Sequence, residues 1–311
     1  MGLFSSLFGK KTCDICGGDF GKQPVHKLKD GKCCTPCALK MSIWSGPRSQ
    51  ITVADASKQI AWREEHSVDA KDFYPTKIYG FTPWVMVDEK TKRFTATRDL
   101  NIHKSTVDII TFSQIRDCQT VIREQKEEVL QDIWENDEYK NSSISHKEQY
   151  SFRRYHYGYN FILQLIVDHP FIREMEISIS SGFVNVLTGE DENTEGRTQP
   201  PTMEQRMQDP FYSRFDAELK ELKTILLDSA PPEKQSKIPR EKQIFGPLIA
   251  VFEKACQDAE MAKQAGHPGM TANAQWVRNE ALMALQDAAK TAKASAAKAG
   301  VAEIIAKYTD G

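Results

Sequence analysis

Two close pairs of cysteines stand near the start of the chain, Cys13-Asp-Ile-Cys16 and Cys34-Thr-Pro-Cys37, with 17 residues between them. Thiolates are soft ligands, and this spacing is that of a tetrahedral zinc site. A C-x2-C turn lets two sulfurs face one ion while backbone N–H groups behind it bond to them. Gly17 and Gly18 follow the first pair, where the chain must reverse tightly and a positive φ is expected. Asp30-Gly31, between His26-Lys27-Leu28-Lys29 and Lys32-Cys33, is a hairpin signal. The residues after Cys37 open a helix.

A fifth cysteine, Cys33, adjoins Cys34 and should point to the opposite face of its strand. Choosing it would give C-x3-C, so the ligand set expected is Cys13, Cys16, Cys34 and Cys37, closed around one structural Zn2+. His26 is the available substitute. A thioredoxin-like redox pair would need one C-x-x-C at a helix start inside a βαβ unit, a pattern missing from this neighbourhood. Four thiolates leave no position for water, so the site reads as structural rather than catalytic.

The leader MGLFSSLFGKK, the motif CDICGG and the run KLKDGKCCTPCALKMS together resemble a bacterial family of unknown function. Its members carry a short N-terminal zinc-ribbon or treble-clef-like domain, often ahead of a pleckstrin-homology-like (PH-like) β domain. The motif match spans roughly residues 1–45, and the doubled Cys33-Cys34 departs from the single cysteine expected there. The resemblance implies zinc binding and supplies no reaction.

The elements that must position these residues follow from periodicity. Thr52-Val-Ala-Asp55 reads as a capped helix start, with helical spacing to about His66. Strand-like runs follow at 83–88, 93–97, 107–112 and 118–122. Along 155–167, Tyr155, Tyr157, Tyr159, Phe161, Leu163, Leu165 and Val167 share one face, as in a sheet with one buried side. This stripe is read as core rather than as a base-stacking platform. Further strands are expected at 175–179 and 183–187. A helix with Tyr212, Phe215, Leu219, Leu222 and Leu226 on one stripe ends before Pro231-Pro232.

The fold class expected is therefore multidomain α+β. Residues 1–45 form the leader and four-cysteine zinc module, 46–72 a connecting helix, and 73–228 an antiparallel β barrel or sandwich, PH-like and capped by its closing helix. Residues 229–242 form a polar, proline-rich linker, and 243–311 an Ala-rich helical hairpin broken at 266–270. Residues 281–302 contain ten alanines, which let helices approach closely, within the hairpin or between copies of the chain. Cys118 and Cys256 lie in apolar patterns and are expected as buried thiols.

Function is bounded more weakly. The 311 residues carry a formal charge of −2, which argues against wholesale coating of nucleic acid or membrane. GxSxG, P-loop, GxGxxG and HExxH motifs are all missing, and the acidic run from Glu124 to Glu138 reads as a solvated face or loop. No run of 18 apolar residues exists, and the start lacks the marks of a secretory signal. A non-enzymatic cytoplasmic adaptor with a protein partner is the leading expectation.

Two further readings are a nucleic-acid-binding zinc ribbon and a thiol redox protein. Residues 1–50 carry +5 before metal, reduced to +3 by a zinc tetrathiolate, with no aromatic between the second pair of cysteines to stack a base. Leu3, Phe4, Leu7 and Phe8 beside Lys10-Lys11 add another reading, peripheral membrane contact through residues 1–11, against a leader folded on the protein or left mobile.

Overall fold

A computed structural model describes residues 12–102, 106–137, 142–186, 196–233, 239–266 and 268–309. The leader at 1–11 with its apolar stripe, Glu138, linker residues 234–238 and His267 lie outside them.

The fold is mixed α+β, with three antiparallel sheets among the described residues. Strands β1 (Val25–Lys27) and β2 (Lys32–Cys34) form a hairpin, followed by the short helix α1 (Thr35–Lys40). Helix α2 (Val53–Glu65) begins where the sequence predicts, because the Thr52 hydroxyl accepts from Asp55 N at 3.1 Å. A second sheet has the order β3 (Lys77–Tyr79), β4 (Trp84–Asp88), β5 (Arg93–Thr97), β6 (Ile110–Thr111). The third is built on β7 (Ile115–Asp137) and β8 (Ser142–Val167), with β9 (Glu174–Ser178) and β10 (Val184–Asn185) both pairing to β8.

The alternation along 155–167 buries its apolar side: Tyr159, Phe161, Leu163 and Leu165 are all at most 1% exposed. After α3 (Met203–Gln208), helix α4 (Pro210–Leu226) lays Tyr212 and Phe215 on that face. Tyr212 meets Phe161 edge-on at 5.0 Å between ring centroids, and Phe215 lies 5.9 Å from Phe81 in the turn between β3 and β4. One apolar core thus spans both larger sheets and α4.

Three expectations change. The run at 107–112 pairs only at Ile110–Thr111, since Phe112–Gln114 close a 3-10 turn through the Thr111–Gln114 capping box. The acidic run exposes Glu124, Glu127 and Asp132 as expected but is no loop: through Asp137 it is the outer part of β7, hydrogen-bonded along its length to β8. Past the bridge Tyr155↔Arg197 the two strands continue for about nine residues with no further strand paired to them among the described residues, a reach of roughly 30 Å. The register there jumps from Val129↔Arg154 to Leu130↔Gln149, so Tyr150–Arg153 bulge from the ladder and leave Phe152 81% exposed.

The third change concerns the C-terminal region, where the described residues form four helices in place of two: α5 (Arg240–Gln264), α6 (Pro268–Thr291), α7 (Lys293–Lys298) and α8 (Val301–Thr309). Alanine favours helix throughout. However, the Thr291 hydroxyl bonds back to Ala288 O at 3.0 Å just before Ala292 leaves helical geometry, and Gly300 adopts φ +67° before α8.

Phe245, Leu248, Val251 and Phe252 of α5 join the same core as the sheets. Arg214 of α4 reaches Asp258 of α5 at 2.5 Å and Glu218 at 2.7 Å, and Lys254 bonds Asp258 at 3.2 Å. Cys118 and Cys256 are buried, and burial raises both thiols, Cys118 to about 11.

The Cys-bearing segment is fastened to this body by a buried ion pair. Arg63 of α2 and Asp108, each with a side chain 6% exposed, meet at 2.7 Å. Arg63 also donates to Lys40 O, at the end of α1, and to Thr106 O at 2.6 Å. Ser42 Oγ donates to Asp108 at 2.7 Å, and Trp44 Nε1 donates to Ala96 O of β5 at 2.7 Å.

Beside this pair Trp62 stacks on His66 at 4.0 Å and meets His169 edge-on at 4.6 Å. Burial lowers His169 below its ordinary 6.5, against the pull of Asp108 and with the help of Arg63 and His66. The folded chain therefore holds His169 neutral more firmly than the unfolded chain does. Its contribution to stability is complete above the ordinary value and is lost as pH falls toward the folded one. Melting at about pH 5.5 should come earlier than at about pH 7.5. In His169→Gln that difference should shrink, and an unchanged difference would show that His169 plays no part.

Candidate metal centre

The first knuckle is a tight turn: Cys13 N donates to Gly18 O and Gly17 N to Cys13 O, each at 2.8 Å. Gly17 takes φ +73°, as its place in the sequence predicts. Asp14 then ties this turn to β2, its N–H bonding Lys32 O and its carboxylate accepting from Lys32 N, both at 2.9 Å. Cys34 ends β2 and stands at the N-cap of α1, and Cys37 lies buried in that helix's first turn.

These elements bring the four sulfurs of Cys13, Cys16, Cys34 and Cys37 within 4.8 Å of one another. A tetrahedral ion with metal–sulfur bonds of ~2.3 Å sets its ligands ~3.8 Å apart. Cys16 Sγ and Cys34 Sγ are 3.8 Å apart. The backbone supplies the second requirement, since Cys13 Sγ accepts from Cys34 N at 3.3 Å and from Cys16 N at 3.5 Å. Burial opposes ionisation of Cys13, but N–H donors from Cys16, Cys34 and Ile15 outweigh it and lower its thiol to about 6. Cys37 moves the other way, raised by burial and by its hydrogen bonds with the neighbouring sulfurs. Without a cation the cluster favours one thiolate at the expense of another. A divalent ion removes that conflict, and the donor set suits zinc.

Cys33 is fully buried in the small apolar core of this module with Phe20, Leu28, Ala38, Met41, Ala56 and Ile60, and burial raises its thiol. It lies outside the sulfur group. His26, the substitute ligand, is turned instead to Thr35 Oγ1 at 3.1 Å, whose hydroxyl donates to Pro24 O.

The hairpin turn differs from the expectation. Leu28 N bonds Gly31 O at 2.8 Å, so Lys29-Asp30 form the tip, and Gly31 does not take a positive φ. Asp30 Oδ1 accepts from Val53 N at 2.8 Å, the first N–H of α2. A Cβ on Gly31 would fall 2.6 Å from Val53 Cγ2 and 2.8 Å from Asp14 Oδ2. A side chain here would have to displace those of Val53 and Asp14. Gly31→Ala should cost about 1–3 kcal/mol by overpacking and lower the chelator concentration at which half the metal is lost. An unshifted midpoint would show that the two contacts relax freely.

Residues 12–59 match a family model described as Domain of unknown function (DUF4428). The match starts at the first knuckle, takes in all four sulfurs and stops inside α2. It accords with an N-terminal metal-binding domain of unknown function. No curated protein and no solved structure matches the chain.

Proposed function

We propose that the chain is a non-enzymatic cytoplasmic adaptor. In this reading Cys13, Cys16, Cys34 and Cys37 close a ribbon- or treble-clef-type module around one structural zinc, and a PH-like β body makes contacts with proteins. The observation that carries it is the sulfur cluster itself. Four cysteine sulfurs on a knuckle, a hairpin end and a helix start satisfy a tetrahedral ion completely, which suits a fold-stabilising metal rather than one that activates water. Antiparallel sheets closed by an amphipathic helix are compatible with a PH-like plan. No helix among the described residues is long and apolar enough to cross a membrane.

The test joins metal content to binding. Full-length protein and Cys16→Ser are used as bait in extract of the native host, beside a chain lacking residues 229–311. A partner kept by the zinc-loaded chain and lost with Cys16→Ser supports an adaptor that depends on the module. Salt-sensitive retention of RNA or DNA would favour the nucleic-acid reading instead, and turnover of a dithiol substrate the redox one.

A further inference from the structure

We propose that the metal state of the four-cysteine cluster is transmitted to the β3–β6 sheet through the guanidinium of Arg63, an inference that rests on the metal reading above. Arg63 and Asp108 form a buried pair whose hydrogen bonds come from two different parts of the chain. The module supplies Lys40 O to Arg63 and the Ser42 hydroxyl to Asp108. The body supplies Thr106 O, and Asp108 itself lies two residues before β6. The pair is satisfied only while α1 holds its place.

Helix α1 has little of its own to hold it there. It has six residues and no side-chain cap at Cys34, far below the length at which a helix persists alone in water. Its N-cap residue Cys34 and its own Cys37 both give sulfurs to the cluster. Without the ion the module retains only a small apolar core. Loss of metal should therefore release α1, withdraw Lys40 O and Ser42 from the ion pair, and let water reach two buried charges that had been fully bonded.

The receiving end is equally dependent. Strand β6 has two residues, paired as Arg93↔Thr111 and Phe94↔Ile110, at the edge of its sheet. So short a ladder leaves much of the strand's hold to its flanks: Phe112 N bonds Lys92 O at 2.8 Å after it, Ile110 is buried in the core, and before it 106–108 is the segment that Arg63 grips. A parallel contact acts on β5, where Trp44, just beyond α1, donates to Ala96 O. The chain of contacts runs from sulfur to α1, to Arg63, to 106–108 and to β6, while β8 and β9 lie off that route.

The experiment follows amide exchange in full-length protein, zinc-loaded and then stripped by a high-affinity chelator under reducing conditions. Exchange at residues 93–97 and 107–111 should accelerate by about tenfold or more on stripping, with 161–166 and 174–178 unchanged. Arg63→Lys keeps the charge but lacks the fork that reaches three partners. It should retain zinc, exchange faster at 107–111 from the outset, and respond to chelation by less than about twofold. The proposal is overturned if a zinc-loaded wild type keeps 107–111 protected after stripping, or if Arg63→Lys transmits the loss as the wild type does. Failure to take up any zinc would sink the metal reading and this inference together, an outcome that zinc content separates from the other two.

Discussion

Replacing Cys16 or Cys34 by serine should abolish metal binding, while Cys33→Ser should bind as much zinc as the wild type. The asymmetry follows from placement. The sulfurs of Cys16 and Cys34 are 3.8 Å apart within the cluster, whereas Cys33, one residue away, is sealed in the module's apolar core. Structural zinc in small finger peptides is worth on the order of 10–16 kcal/mol, and serine offers no thiolate in its place. Residues 12–40 should accordingly lose their protection from amide exchange in the two ligand variants. In Cys33→Ser a hydroxyl is buried among apolar side chains, which should lower stability by about 1–3 kcal/mol with metal content intact. Zinc per chain, measured by mass spectrometry on purified variants, decides it. Loss of zinc in Cys33→Ser with retention in Cys34→Ser would shift the ligand register by one residue.

The second large effect is expected from Asp258→Ala. Asp258 is 1% exposed and receives both Arg214 and Lys254. Burial works against the charge on Arg214, yet Asp258 and Glu218 together hold its pKa above the ordinary value. Removing one partner of such a pair leaves the other charge buried and typically costs about 3–5 kcal/mol. The lower end applies here, because Glu218 remains beside Arg214. The loss should appear across the whole body, since α5 contributes Phe245, Leu248, Val251 and Phe252 to the core shared with both sheets. Denaturant melts followed by far-UV dichroism test this. A separate early transition confined to α5–α8 would mean that these helices form a folding unit of their own.

How far the sequence was legible depended on whether a residue's role was local. The paired C-x2-C spacing, the positive φ at Gly17 and the Thr52 cap are each set within a few residues, and each reads directly from the chain. The alternation at 155–167 and the stripe on α4 were legible for a related reason, because each sets its large apolar side chains on one buried face. Gly31 was found but misread: its need is steric, imposed by Val53 and Asp14, and no local rule reports a contact across the fold. The Arg63–Asp108 pair gave no signal, since an arginine in an amphipathic helix ordinarily faces solvent and its partner lies 45 residues away. The outer ribbon was hidden because none of its described side chains past Val129 is buried, and a strand without a buried side has no period-two signature.

That ribbon also sets how the chain must behave at high concentration. Strand β7 lies at the edge of its sheet and presents a long row of backbone groups to solvent, a template on which another copy could add strand by strand. Flat edges of this kind start fibrils, and two features oppose it here. Arg123, Glu124, Lys126 and Glu127 follow closely along the edge strand and would have to surrender their hydration to any incoming copy. The bulge at Tyr150–Arg153 breaks the regular ladder, so neighbouring ribbons cannot stack in register along their full length. The four residues that spoil the ladder should therefore hinder its propagation between molecules.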